Sequence, residues 1–185
     1  MVIPVSLLMC ILGTAIIWVD SFGPSAGPFD IELKQMEQCE DQGTKQMVLT
    51  PKINNAGQGK YIYNSPFWIG VPVDEHFKVY VDVQQWGNGG YRPRAFEYTV
   101  KNCEDAWKLL PDLIQGVMKS AGHPVEKCPI QPGNFTANNW EVEVEVKNIP
   151  TMIYGKYRAI LTFLHKKVKV GCNIFYAEVV PKKLG

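Results

Sequence analysis

Phe77-Lys78-Val79-Tyr80-Val81-Asp82-Val83-Gln84 sets a run of apolar residues against a second, more polar set in strict alternation. Successive side chains of a strand point to opposite faces, so Phe77, Val79, Val81 and Val83 define one buried face and the others a wetter one. Phe29, Ile31 and Leu33 alternate with Asp30, Glu32 and Lys34 in the same way, and Phe96, Tyr98 and Val100 with Glu97, Thr99 and Lys101. The most regular case is Trp140, Val142, Val144 and Val146 against Glu141, Glu143, Glu145 and Lys147. Asn54-Asn55-Ala56-Gly57, Gly87-Asn88-Gly89-Gly90 and Gln131-Pro132-Gly133 read as turns between such strands. The spacing predicts a mostly β fold, an antiparallel sandwich or open cup.

Residues 104–120 break the pattern. Ala106, Trp107, Leu110, Leu113, Ile114, Val117 and Met118 recur at helical spacing, with Glu104 and Asp105 where the helix dipole favours acids. Pro111 falls inside the run, so the insert is expected as two short helices, the second starting near Pro111. Gly122 and Pro124 end it.

Composition fits one folded domain. The 185 residues are 46% hydrophobic and 20% charged, with 11% aromatic residues. A formal net charge of +1 gives no support to nucleic-acid binding. Residues 1–19 carry no charge and are almost all apolar before Asp20 breaks the run, so 1–21 reads as a secretory signal peptide, with an uncleaved anchor as the alternative. Residues 22–185 are then a single secreted domain, and loss of Asp20 takes its formal charge from +1 to about +2. Cys10 lies in the signal. The remaining Cys39, Cys103, Cys128 and Cys172 suit two disulfides in an exported chain, with three connectivities open. Cys103 and Cys128 flank the helical insert and make the natural local pair, which would leave Cys39 and Cys172 to tie the first strand to the last. Asn134-Phe135-Thr136 is a glycosylation sequon.

Residues 156–164 and 168–180 are apolar on both faces to differing degrees. Tyr157, Ala159, Leu161 and Phe163 oppose a face that still holds Ile160 and Leu164. Strands of this kind need cover on both sides, from a helix and a second sheet, or else one side borders an internal cavity. Two apolar stretches fall where loops are expected, Pro66–Pro72 and Ile149–Gly155. Such loops call for their own core, a partner, a ligand or a membrane surface.

The run Asn102-Cys103, the helical stretch with Trp107, Cys128-Pro129, Pro132-Gly133, Phe135, Asn139-Trp140, Ile149-Pro150 and Gly155-Lys156-Tyr157-Arg158 resembles the insect chemosensory B proteins and their secreted relatives. That group is itself distantly similar to the ganglioside GM2 activator. The resemblance spans roughly residues 74–180. It implies a β-cup around an apolar cavity that holds a lipid or lipid-like molecule, with pheromone-like hydrocarbons as ligands in contact chemosensation. It also implies the pairing of Cys39 with Cys172. The activator has more cysteines, so its local bridges do not carry over.

For such a carrier the chemistry is burial of apolar area, about 0.8 kcal/mol per methylene, in a dry cavity with few polar groups. The candidate lining residues are Phe77, Val79, Phe96, Trp140, Val142, Val144, Tyr157, Leu161 and Phe163. Trp68, Met152, Ile153 and Tyr154 are the candidate cavity mouth. His165, Lys166, Lys167 and Lys169, with Lys182 and Lys183, form a basic edge suited to polar head groups, a membrane surface or a receptor. No cofactor, metal or catalytic residue is expected. Asp74-Glu75-His76 concentrates acid and base but lacks the spacing of a metal motif, and no nucleophile elbow, zincin or phosphate-loop motif occurs. The expected function is thus a secreted carrier or presenter of a hydrophobic ligand. The rivals are a protein–protein interaction module with a filled core, and an accessory protein that lifts a lipid from membrane for an enzyme.

Overall fold

The structure is a computed structural model that describes residues 26–50, 52–57, 60–147 and 149–182. The signal segment 1–21, with Cys10, and Lys183 of the basic edge lie outside these residues. The elements are β1 (Ala26–Gly27), β2 (Phe29–Gln38), β3 (Met47–Leu49), β4 (Ile53–Gly57), β5 (Lys60–Ile69), β6 (Phe77–Gly87), β7 (Gly90–Val100), α1 (Cys103–Leu109), α2 (Pro111–Ser120), β8 (Gly133–Glu141), β9 (Met152–Ile153), β10 (Gly155–His165) and β11 (Val168–Pro181).

The expected antiparallel sandwich forms from two layers. One is a five-stranded sheet in the order β2-β11-β10-β6-β7. In the other, β5 pairs with β8 along one edge and with β3 and then β4 along the other. Alternation explains the layering. Phe77 and Val79 of β6 and Phe163 of β10 turn inward and join one core with Tyr63, Phe67 and Ile69 of β5. Lys78 and Tyr80 of β6 remain exposed on the outer face. The β6–β7 turn falls where the glycines predict, with Asn88 and Gly89 at φ 52° and 84°, the left-handed pair that a tight hairpin requires.

The helical insert also matches its reading. The Asn102 side chain accepts the Asp105 backbone N–H at 2.9 Å to cap α1, and Pro111 opens α2 after a break at Leu110. Both disulfides form, Cys39–Cys172 with Cα atoms 5.4 Å apart and Cys103–Cys128 at 6.0 Å. Beside the first, the buried Gln42 amide donates to the carbonyls of Cys39 and Cys172 at 2.6 and 2.8 Å.

The two ends of the sandwich differ. At the end that holds both disulfides, aromatic pairs fill the interior. Phe77 lies against Phe163 with ring centres 6.1 Å apart, and Phe67 against Phe135 at 5.2 Å. At the other end, where β2, β5 and β10 begin, residues 142–147 and 149–154 lie across the opening as a strap.

Three local readings are corrected. Strand β8 ends at Glu141, so the most regular alternation in the sequence belongs mainly to the strap. There Val142 donates to the Tyr61 carbonyl at 2.8 Å, Val144 bridges Ile31, and Lys147 donates to the Leu109 carbonyl at 3.1 Å. Any extended segment that lies across an apolar surface shows period two, whether or not it belongs to a ladder. Asn54–Gly57 belongs to β4 rather than a turn. Pro66–Ile69 belongs to β5 rather than a loop, and the missing proline N–H is tolerated because Pro66 sits where β3 has ended and β4 has not begun.

Candidate functional site

The strap creates a cleft of about 520 Å³ against the start of β2 and β5. Its lining exposes more polar than apolar surface, unlike the dry cavity with few polar groups expected from the sequence; the apolar part comes from Phe29 and Ile31 of β2, Tyr61 of β5, and Val142, Val144, Val146, Ile149 and Pro150 of the strap. Its rim carries Asp30, Glu32, Glu141, Glu143 and Glu145, against Lys60 and Lys182. Lys60 of β5 meets Glu141 of β8 at 2.7 Å; the strap itself is tied to β5 by the Val142 N–H on the Tyr61 carbonyl, and its Lys147 reaches Glu145 at 2.8 Å and Asp112 of α2 at 3.1 Å. Lys34 bonds Glu32 at 2.6 Å and lies over the Tyr61 ring. Burial disfavours its charge, but the bonds to Glu32 and Tyr61 outweigh burial and raise its pKa.

A second apolar surface continues the inner face of the large sheet. Tyr98 pairs with Val81 and Phe96 with Val83, which puts both β7 rings on the inward side. They are nevertheless 43% and 42% exposed. Inner-face residues of a sandwich are ordinarily covered by the second sheet, which here is three strand positions wide against five, and β7 is an edge strand of the wider layer. Ala159 and Leu161 beside them are only half-buried.

The nine candidate lining residues divide. Phe77, Val79 and Phe163 are core residues of the disulfide end, packed against one another, so the expectation that they line a hollow is corrected to core packing. Tyr157 packs with Val83 and Val179 in a smaller cluster, its hydroxyl donating to the Ile153 carbonyl at 2.8 Å. Trp140 and Leu161 lean half-buried on the main core. Phe96 stands at the open edge. Val142 and Val144 line the cleft. Met152, Ile153 and Tyr154, offered as a cavity mouth, lie where β9 pairs with β1 and the Tyr154 hydroxyl donates to the Pro28 carbonyl at 3.0 Å, and do not line the cleft. Nor does Trp68, because it stands on the outer face of β5 near the disulfide end. The basic edge is also divided. His165–Lys169 lies at the β10–β11 turn, one full β10 of 11 residues, or about 35 Å, from the strap, while Lys182 rims the cleft.

Phe29, Ile31 and Tyr61 were not foreseen as site residues. Their alternation is visible, but the cleft arises only when β2 meets a strap more than a hundred residues later. The interior is also more polar than expected. Asn173 Oδ1 is buried without a hydrogen-bond partner among the described residues, and the Tyr63 hydroxyl and Ser65 Oγ are buried with only each other's weak pull. Burial pushes the Tyr63 phenol up to about 12.

Asp74-Glu75-His76 is a structural turn. Asp74 Oδ1 accepts the His76 backbone N–H at 2.8 Å and faces His165 Nε2 at 3.5 Å. Burial raises the Asp74 carboxyl, but the His76 N–H and the two imidazoles outweigh it and hold the pKa below the usual 3.8. A carboxyl depressed in the folded state contributes stability above its unfolded pKa and loses that contribution as pH falls through the folded value. Asp74→Asn is therefore expected to cost about 1 kcal/mol at pH 7, with the penalty fading toward pH 3. Urea unfolding at the two pH values checks this, and a pH-independent penalty would contradict it.

Among the described residues no group of three or more His, Cys, Asp or Glu is placed to hold a metal ion, and no helix is long and apolar enough to cross a membrane. No protein-family model matches the chain, and no match was found among curated proteins.

Proposed function

We propose that this protein is a secreted binding protein that carries or presents a neutral hydrophobic ligand in the cleft beneath the strap. The observation that carries the reading is the cleft itself, in which Phe29, Ile31, Val142 and Val144 offer apolar surface between polar groups. Its volume of about 520 Å³ lies within the range of small-molecule sites. The rim of five acids and two lysines repels fatty carboxylates and phosphates and favours an uncharged alcohol, ester or hydrocarbon. Two disulfides fit an extracellular setting. The resemblance to secreted chemosensory and lipid-activator proteins points the same way.

Native mass spectrometry of protein secreted from insect cells tests the reading. A stoichiometric neutral lipid-like adduct is expected, and protein that stays free of ligand in the presence of long-chain alcohols and esters would refute it. Ile149, at the edge of the cleft and already exposed, offers a variant with little folding cost. Ile149→Asp is expected to weaken uptake of a neutral long-chain ester tenfold or more, the worth of about 1.5–3 kcal/mol of side-chain burial. Fluorescent-probe displacement measures it. Extraction of the same ester from liposomes separates a lipid-lifting accessory protein from a simple carrier.

A further inference from the structure

We infer that Asn134 carries an N-linked glycan whose first N-acetylhexosamine packs on the indole of Trp68. The inference rests on the secretory route proposed above, because the sugar is added only there. On β8 the central residue of the sequon, Phe135, turns inward against Phe67, so Asn134 and Thr136 stand exposed on the outer face. The β5–β8 register sets Asn134 directly opposite Trp68. Residues so paired share a face, with Cβ atoms about 4.5–5.5 Å apart, within reach of the first sugar of a glycan. Trp68 is 41% exposed on that face. Its ring leans past the end of β5 over Gly70, where any Cβ would come within 2.8 Å of the indole. Glycine at 70 thus leaves the ring against the sheet with a broad apolar surface toward solvent, and the C–H face of a β-linked sugar is a fitting cover for an aromatic face. The pairing gives an exposed tryptophan, far from the strap, a partner made of carbohydrate.

The test is a double-mutant cycle on the full chain secreted from insect cells, with T136A and W68A made separately and together. Intact mass before and after enzymatic removal of N-glycans reports occupancy. One glycan is expected on the parent and none on T136A. Thermal unfolding then reports the contact. Loss of the glycan through T136A is expected to lower Tm by about 2–4 °C when Trp68 is present and to change it little beside W68A. A secreted parent without a glycan overturns the inference. So does a glycan whose effect on Tm is the same with and without W68A. A chain that is not secreted at all overturns the reading on which the inference rests, and the mass and export results keep the two failures apart.

Discussion

Replacing Cys39 and Cys172 together with serine is expected to lower the unfolding free energy by about 5 kcal/mol. The bridge closes a loop of 133 residues, so in the chain-entropy account it removes more freedom from the unfolded chain than any local link can. The Cys103–Cys128 bridge spans 25 residues, and its removal is expected to cost less, about 3.5 kcal/mol. The long bridge also holds the partners of the buried Gln42 amide, which accepts the Cys172 N–H as well as donating to both carbonyls. Domains of this size have only about 5–15 kcal/mol of net stability, so the Cys39/Cys172 variant should sit near its unfolding midpoint under mild conditions. Urea unfolding of the two double-serine variants decides the matter. A larger loss from the local bridge would show that unfolded-chain entropy does not govern the effect.

Phe163→Ala is expected to cost about 3–5 kcal/mol through the cavity it leaves beside Phe77 in the disulfide end. Measured at a temperature where the variant is still folded, uptake of a neutral ester should be unchanged, because the cleft lies at the opposite end of β10. Ile149→Asp should show the reverse, weak binding at nearly full stability. Should Phe163→Ala abolish binding while near-UV circular dichroism shows a native fold, the ligand lies between the sheets and the cleft is not its site. The contrast also separates a carrier from an interaction module with a filled core, which would lose no ligand in either variant.

β6 was legible because its first residues set one face in the core and one toward water, and β2 and β7 because their apolar residues keep the same side-chain period of two. The proline-split insert was legible for the same reason, through helical periodicity and the fixed backbone of Pro111. β8 was harder. Its inward residues are only Phe135 and Ala137 before Trp140, set among asparagines that read as loop. The strap misled in the other direction, since Val142, Val144 and Val146 alternate as cleanly as any strand while pairing at single points.

Local sequence therefore determined the class of fold and the helical insert, because alternation, capping and short loops act over a few neighbouring residues; it favoured the near cysteines as a pair but left the connectivity open. It could not decide which apolar faces meet a second layer. That choice is made by the width of the second layer, three strand positions against five, and by a strap that joins Val144 to Ile31. Phe163 and Val144 look alike in sequence as inward residues, yet one fills the core and the other lines the cleft. Burial depends on what the rest of the chain places opposite a side chain, and only the folded arrangement supplies that.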